Sequence, residues 1–120
     1  MTMSNAESVV AIMNQTSPKH KWKDEERSIL AVLEKFYAVP KSVQAKVFNK
    51  IYWQTLYHEG FTNGLTPEVL VSQIADLKHS PRGENFRNLM TCGPQHAYCR
   101  RLKDKIEAVA GMLNITLQPR

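Results

Sequence analysis

At 120 residues the chain has room for one hydrophobic core of a few helices and not for two independent cores. Its apolar content of 42% and charged content of 22% are those of an ordinary globular domain, and no stretch reaches the roughly 20 apolar residues of a membrane span. The net charge of +5 favours acidic partners such as nucleic acid, but without a polybasic run the position of the charges has to decide.

Residues 1–18 are small and polar around a brief apolar patch, Val9 to Met13, and read as a flexible N-terminal arm ending at Ser17-Pro18. They lack the basic start and long apolar run of a secretory signal, so an intracellular protein with two reduced thiols is expected. Lys19, Lys21 and Lys23 then surround Trp22. Either Trp22 is buried at the entry to a helix or the three lysines form an arm that contacts phosphates.

From Asp24 to Tyr37, Ile29, Leu30, Leu33, Phe36 and Tyr37 recur at helical spacing behind an acidic first turn, which the helix dipole favours. Ala38-Val39-Pro40 ends this first helix. A second is predicted from an N-cap at Ser42 to Glu59, with Gly60 as its stop. At about 100° per residue, Val47, Phe48, Ile51, Tyr52 and Leu56 share one arc, while Lys46, Lys50, Trp53 and Tyr57 converge on the other side.

After a loop at Phe61 to Gly64, Thr66 is a good N-cap and Pro67 suits the first helical position, where its missing N–H costs nothing. This third helix, to Lys78, turns Leu70, Ile74 and Leu77 inward and Glu68, Val71, Ser72, Ala75 and Asp76 outward. Ser80 to Gly83 breaks it, a short turn carries Phe86 and Leu89, and a last helix from about Gln95 to Leu113 shows a narrow seam of Cys99, Leu102, Ile106, Val109 and Leu113. Two heptads are too short to hold a dimer, so this helix is expected to pack on its own core, with Ile115 to Arg120 trailing off.

Trp22 followed by Lys23-Asp24-Glu25-Glu26 and then Ile29, Leu30 and Leu33 resembles the opening of Myb/SANT domains. Phe48 with Ile51 resembles that family's second aromatic and its companion, and Thr66-Pro67 with Ile74 and Leu77 is similar to its third helix, Ile74 standing where a third tryptophan usually sits. The resemblance covers residues 21–78. It implies an all-α fold with a tri-helical helix-turn-helix core, here over residues 19–80 and followed by a linker and a C-terminal helix over 81–120. The link between the second and third helices is longer than in a typical repeat. In DNA-reading members the third helix enters the major groove and carries Lys, Arg, Asn or Gln on its outward face. Here that face offers Val71, Ser72, Ala75 and Asp76, with Glu68 one turn earlier; carboxylates oppose phosphate binding, and Val and Ala offer no donor. The face is more similar to the SANT branch, which is associated with contacts to chromatin proteins.

The pairing of Lys46 and Lys50 with Trp53 and Tyr57 suits a binding face, lysines holding charge while aromatics stack or pack. The alternative is that the last helix covers both aromatics. Arg82, Arg87, Arg100 and Arg101 add phosphate contacts if they align with Lys46 and Lys50, and are otherwise solvated charges. Cys92, His96 and Cys99, with His79 as a fourth, have a spacing open to zinc, but no paired CxxC is present and the apolar seam also claims Cys99, so no metal is expected. Scattered histidines, with no nucleophile elbow and no phosphate loop, argue for no catalysis and no cofactor. The resulting expectation is a nuclear, non-enzymatic binding module of a chromatin or transcription complex, working mainly through protein contacts with weak DNA contact and no membrane or small-molecule partner. A sequence-specific DNA binder using the third helix and an interaction adaptor outside chromatin are the alternatives.

Overall fold

Ile29 to Leu33 is an unbroken apolar run, and in the computed structural model, which describes residues 19–92 and 96–120, all of its side chains are buried. The helix that carries it, α1 (Asp24–Phe36), is therefore enclosed on every side at its centre, as a helix apolar all round must be. The spacing had predicted a single stripe. Its start is held by Glu26, whose Oε1 accepts from the Lys23 backbone N–H at 2.8 Å. The arm expected over residues 1–18 lies outside the described residues.

The expected second helix is two. α2 (Lys41–Ile51) takes Pro40 as its cap, two residues ahead of the expected cap at Ser42, and buries Val47 and Phe48. Tyr52, at φ −111° and ψ 24°, leaves helical geometry, and α3 (Trp53–His58) follows it directly. Tyr52 is anchored sideways: its ring lies 5.0 Å from that of Phe48 and its hydroxyl donates to Glu25 at 2.6 Å. Meeting both anchors takes that one residue out of helical values. Gly60, at φ 97°, then ends the unit as the sequence predicts.

α4 (Pro67–His79) begins with Thr66 Oγ1 accepting from the Val69 N–H, and buries Leu70, Ile74 and Leu77. A 3-10 turn (Pro81–Gly83) leads into α5 (Glu84–Thr91), longer than the single turn expected, whose Phe86 and Leu89 pack on α1. α6 (Ala97–Met112) sets Cys99, Leu102, Ile106 and Ala110 against α1 and α2. No strand occurs among the described residues; the protein is all-α.

The tail does not trail off, because α1 ends with open carbonyls that need donors. Arg120 supplies them, its backbone N–H to Phe36 O at 3.0 Å and its Nε to Glu34 O at 2.7 Å. Ala38 N–H donates in turn to Gln118 O at 2.7 Å, while Ile115 and Leu117 pack on the core.

Candidate binding cleft

Lys46 and Lys50 stand one turn apart on the exposed side of α2, and Trp53 and Tyr57 one turn apart on α3. Across the break at Tyr52 the four still share one side, as rims of a cleft of about 440 Å³. Leu56, Phe61, Leu113 and Ile115 add apolar lining. Trp53 is 54% and Tyr57 58% exposed, so α6 does not cover them; it reaches the cleft only through the residues at and after its end. Neither lysine takes part in an ion pair or side-chain hydrogen bond among the described residues.

Two devices hold the cleft in shape. Asn49 pairs with the Leu65 backbone in both directions, Nδ2 donating to the carbonyl at 2.9 Å and Oδ1 accepting from the N–H at 2.8 Å. Gly64 sits against that amide at φ +79°, where a Cβ would lie 2.3 Å from Asn49 Cγ, so the loop can close here only on glycine. At the far end of α3, the His20 ring spans two carboxylates, Nε2 to Glu26 Oε1 at 2.8 Å and Nδ1 to Glu59 Oε1 at 2.5 Å. The His20 and Glu26 side chains are 2% and 1% exposed. Trp22, Phe48 and Phe61 surround the ring edge-on or nearby, which joins the clasp to the cleft through Phe61. Trp22 is thus packed on the core rather than part of an exposed arm, with Lys19, Lys21 and Lys23 exposed around it.

The remaining cations do not join Lys46 and Lys50. Arg87 is a structural cap, donating through Nη1 to Leu77 O at 2.9 Å and Ser80 O at 2.7 Å, the open carbonyls at the end of α4. That gives Arg87 a structural role beside the phosphate contact expected of it. Arg82 faces Asp76 at 3.5 Å. Arg100 and Arg101 are exposed near the start of α6, the latter 4.9 Å from the Tyr98 ring, and helical rise puts them about 18 Å from the cleft end of that helix. On α4, Glu68, Val71, Ser72, Ala75 and Asp76 are all exposed, as the spacing predicts. Their acidic and aliphatic character leaves that face without a base-reading donor other than Ser72.

Cys99 lies in the buried seam, where burial pushes its thiol up and nearby Cys92 adds to the shift, the opposite of what a metal-bound thiolate needs. Lys35 Nζ takes the Cys92 carbonyl, and no group of three His, Cys, Asp or Glu side chains gathers to hold a metal among the described residues. No described helix is long and apolar enough to cross a membrane.

Three carboxylates tie the helices together and set the response to acid. Hydrogen bonds from Lys105 and Tyr52 hold Glu25 below the ordinary glutamate value. Burial pushes Glu34 up, but the bonds from Lys41 and Gln44 outweigh it; burial likewise opposes the bonds from His20 and the Lys21 backbone at Glu59, and both carboxyls end below that value. A folded-state pKa below the unfolded one gives stability that is complete above the unfolded pKa and lost as pH falls through the folded one. The urea midpoint is therefore expected to hold from neutrality down to about pH 5 and to decline below the ordinary glutamate value of 4.5. A midpoint unchanged down to about pH 3 contradicts this assignment.

Compared with models of known families, with curated protein sequences and with solved structures, the chain matches none significantly.

Proposed function

We propose that the chain is a non-enzymatic nuclear binding module of a chromatin or transcription complex, built on a Myb/SANT-like arrangement of α1, α2 and α4. It acts mainly through protein contacts, with weak, sequence-independent contact to DNA. In support of the arrangement, the three helices pack on one another, Trp22 leans on their core, and Phe48 and Ile74 are buried at the positions that resemble the family's later aromatics. The departures are α3, inserted between the second and third helices of that core, and the enclosure of α1 by α5 and α6.

The observation that carries the functional reading is the exposure of Trp53 and Tyr57 beside Lys46 and Lys50. Large aromatics in a shaped, partly apolar depression are the usual anchors of a protein interface. The outward face of α4, with Glu68 and Asp76, weighs against major-groove reading.

The test is capture from nuclear extract, with and without nuclease, by wild-type protein and by a Lys46→Glu, Lys50→Glu, Trp53→Ala variant, alongside salt titrations on two unrelated DNA duplexes. The expected result is a nuclease-resistant partner lost in the variant, and duplex binding that is weak, equal for both sequences and gone at high salt. A sequence-selective duplex complex abolished by Val71→Glu or Ser72→Glu would assign the function to α4 instead.

A further inference from the structure

Resting on the proposal that the cleft is a protein-binding site, we propose that its occupant is an acidic peptide segment that seats one apolar or aromatic side chain between Trp53 and Tyr57 and sets carboxylates on Lys46 and Lys50. Among the described residues, those that bound the cleft include Lys46 and Lys50 and not one aspartate or glutamate. The site is therefore complementary to negative charge and unfavourable to a basic segment. Asn49 already has its amide committed to Leu65, so specificity is left to the lysines, the loop residues Thr62 and Asn63, and the apolar surface.

The spacing narrows the ligand further. Residues one helical turn apart have Cβ atoms about 6 Å apart, a separation that carboxylates match at alternate positions of an extended peptide, about 6.6 Å apart, or one turn apart on a helix. Between them the ligand needs a side chain that fits an aliphatic surface, because Leu56, Leu113 and Ile115 line the cleft together with the rings.

Single-stranded nucleic acid fits less well. Two lysines neutralise two phosphates at most, a small electrostatic contribution, and although Trp53 and Tyr57 offer stacking planes, Leu56, Leu113 and Ile115 offer a base none. An acidic peptide uses both the charge and the aliphatic lining.

The experiment measures the anisotropy of a short fluorescein-labelled peptide of alternating Glu and Leu with one central Phe, at physiological salt, with the full chain. Counterparts carry Gln or Lys in place of Glu, and oligo(dT) of equal length serves as the nucleic-acid probe. The expected result is binding of the Glu peptide about tenfold or more tighter than its Gln counterpart, none of the Lys counterpart, and loss on Lys46→Gln with Lys50→Gln or on Trp53→Ala. These exposed positions leave the fold intact, which circular dichroism checks. Equal binding of the Gln or Lys peptide, tighter binding of oligo(dT), binding that survives both variants, or no binding at all overturns the proposal. If the nuclear partner depends on the cleft and the Glu peptide does not bind, only the ligand class fails. If the peptide binds and no nuclear partner needs the cleft, only the chromatin reading fails.

Discussion

Replacing His20 with alanine is expected to lower the free energy of unfolding by about 3 kcal/mol, because it strips a buried carboxylate of its main partner. The ring presents a nitrogen to each of two carboxyl groups, Glu26 at 2.8 Å and Glu59 at 2.5 Å. Without the ring, Glu26 keeps, among the described residues, only the Lys23 N–H on its Oε1, and its Oε2 has no partner among them. The lost edge-on packing against Trp22 and Phe61 adds to the cost. Glu59 directly follows α3, so the same substitution should raise hydrogen exchange there and along Phe61 to Gly64 before the rest of the molecule responds. Chemical denaturation gives the first quantity and residue-resolved exchange the second. A loss under about 1 kcal/mol would show that the bridge is solvated and carries little.

The elements readable in the sequence were those whose determinants are local. Thr66-Pro67 caps α4 because both act within one turn, and Leu70, Ile74 and Leu77 bury because one helix face decides them. Lys46, Lys50, Trp53 and Tyr57 share a cleft as the helical arithmetic places them, even though the helix assumed for that arithmetic breaks at Tyr52. The break was hidden because its anchor, Glu25, comes from α1 and leaves no trace in the residues around Tyr52. For the same reason the histidines looked scattered: His20 meets Glu59 across 39 positions, and the first-turn dipole already accounted for Glu26. Arg87 counted as a surface cation until the carbonyls at the end of α4 claimed it. Leu113, read as part of the last helix's seam, and Ile115, read as the start of a trailing tail, border the cleft, and the tail is tied back to the end of α1. Long-range hydrogen bonds to charged groups, which carry no periodicity, account for most of what the pattern missed.

The second large effect is expected at Gly83, where alanine should cost about 3 kcal/mol, at the upper end for overpacking, and lower the melting temperature by roughly 12 to 20 °C. Gly83 closes the 3-10 turn between α4 and α5 with ordinary negative φ, so backbone freedom is not the issue. The obstacle is space: a Cβ there would stand 1.8 Å from the Leu77 carbonyl oxygen and 2.6 Å from its carbon. That carbonyl cannot swing aside cheaply, because it belongs to the last turn of α4, accepts from Arg87 and carries the buried Leu77 side chain. Relief therefore has to come from separating α4 from α5, which also loosens Phe86 and Leu89 against α1. The identical change at Gly111 has the opposite sign. There a Cβ meets nothing within 4 Å inside α6, so alanine removes unfolded-state entropy without a clash and should add up to about 0.5 to 1 kcal/mol. Thermal melts of the two variants beside the wild type decide the matter. A Gly83→Ala melt equal to or above the wild type would mean that the α4–α5 junction is not packed as tightly as its geometry requires.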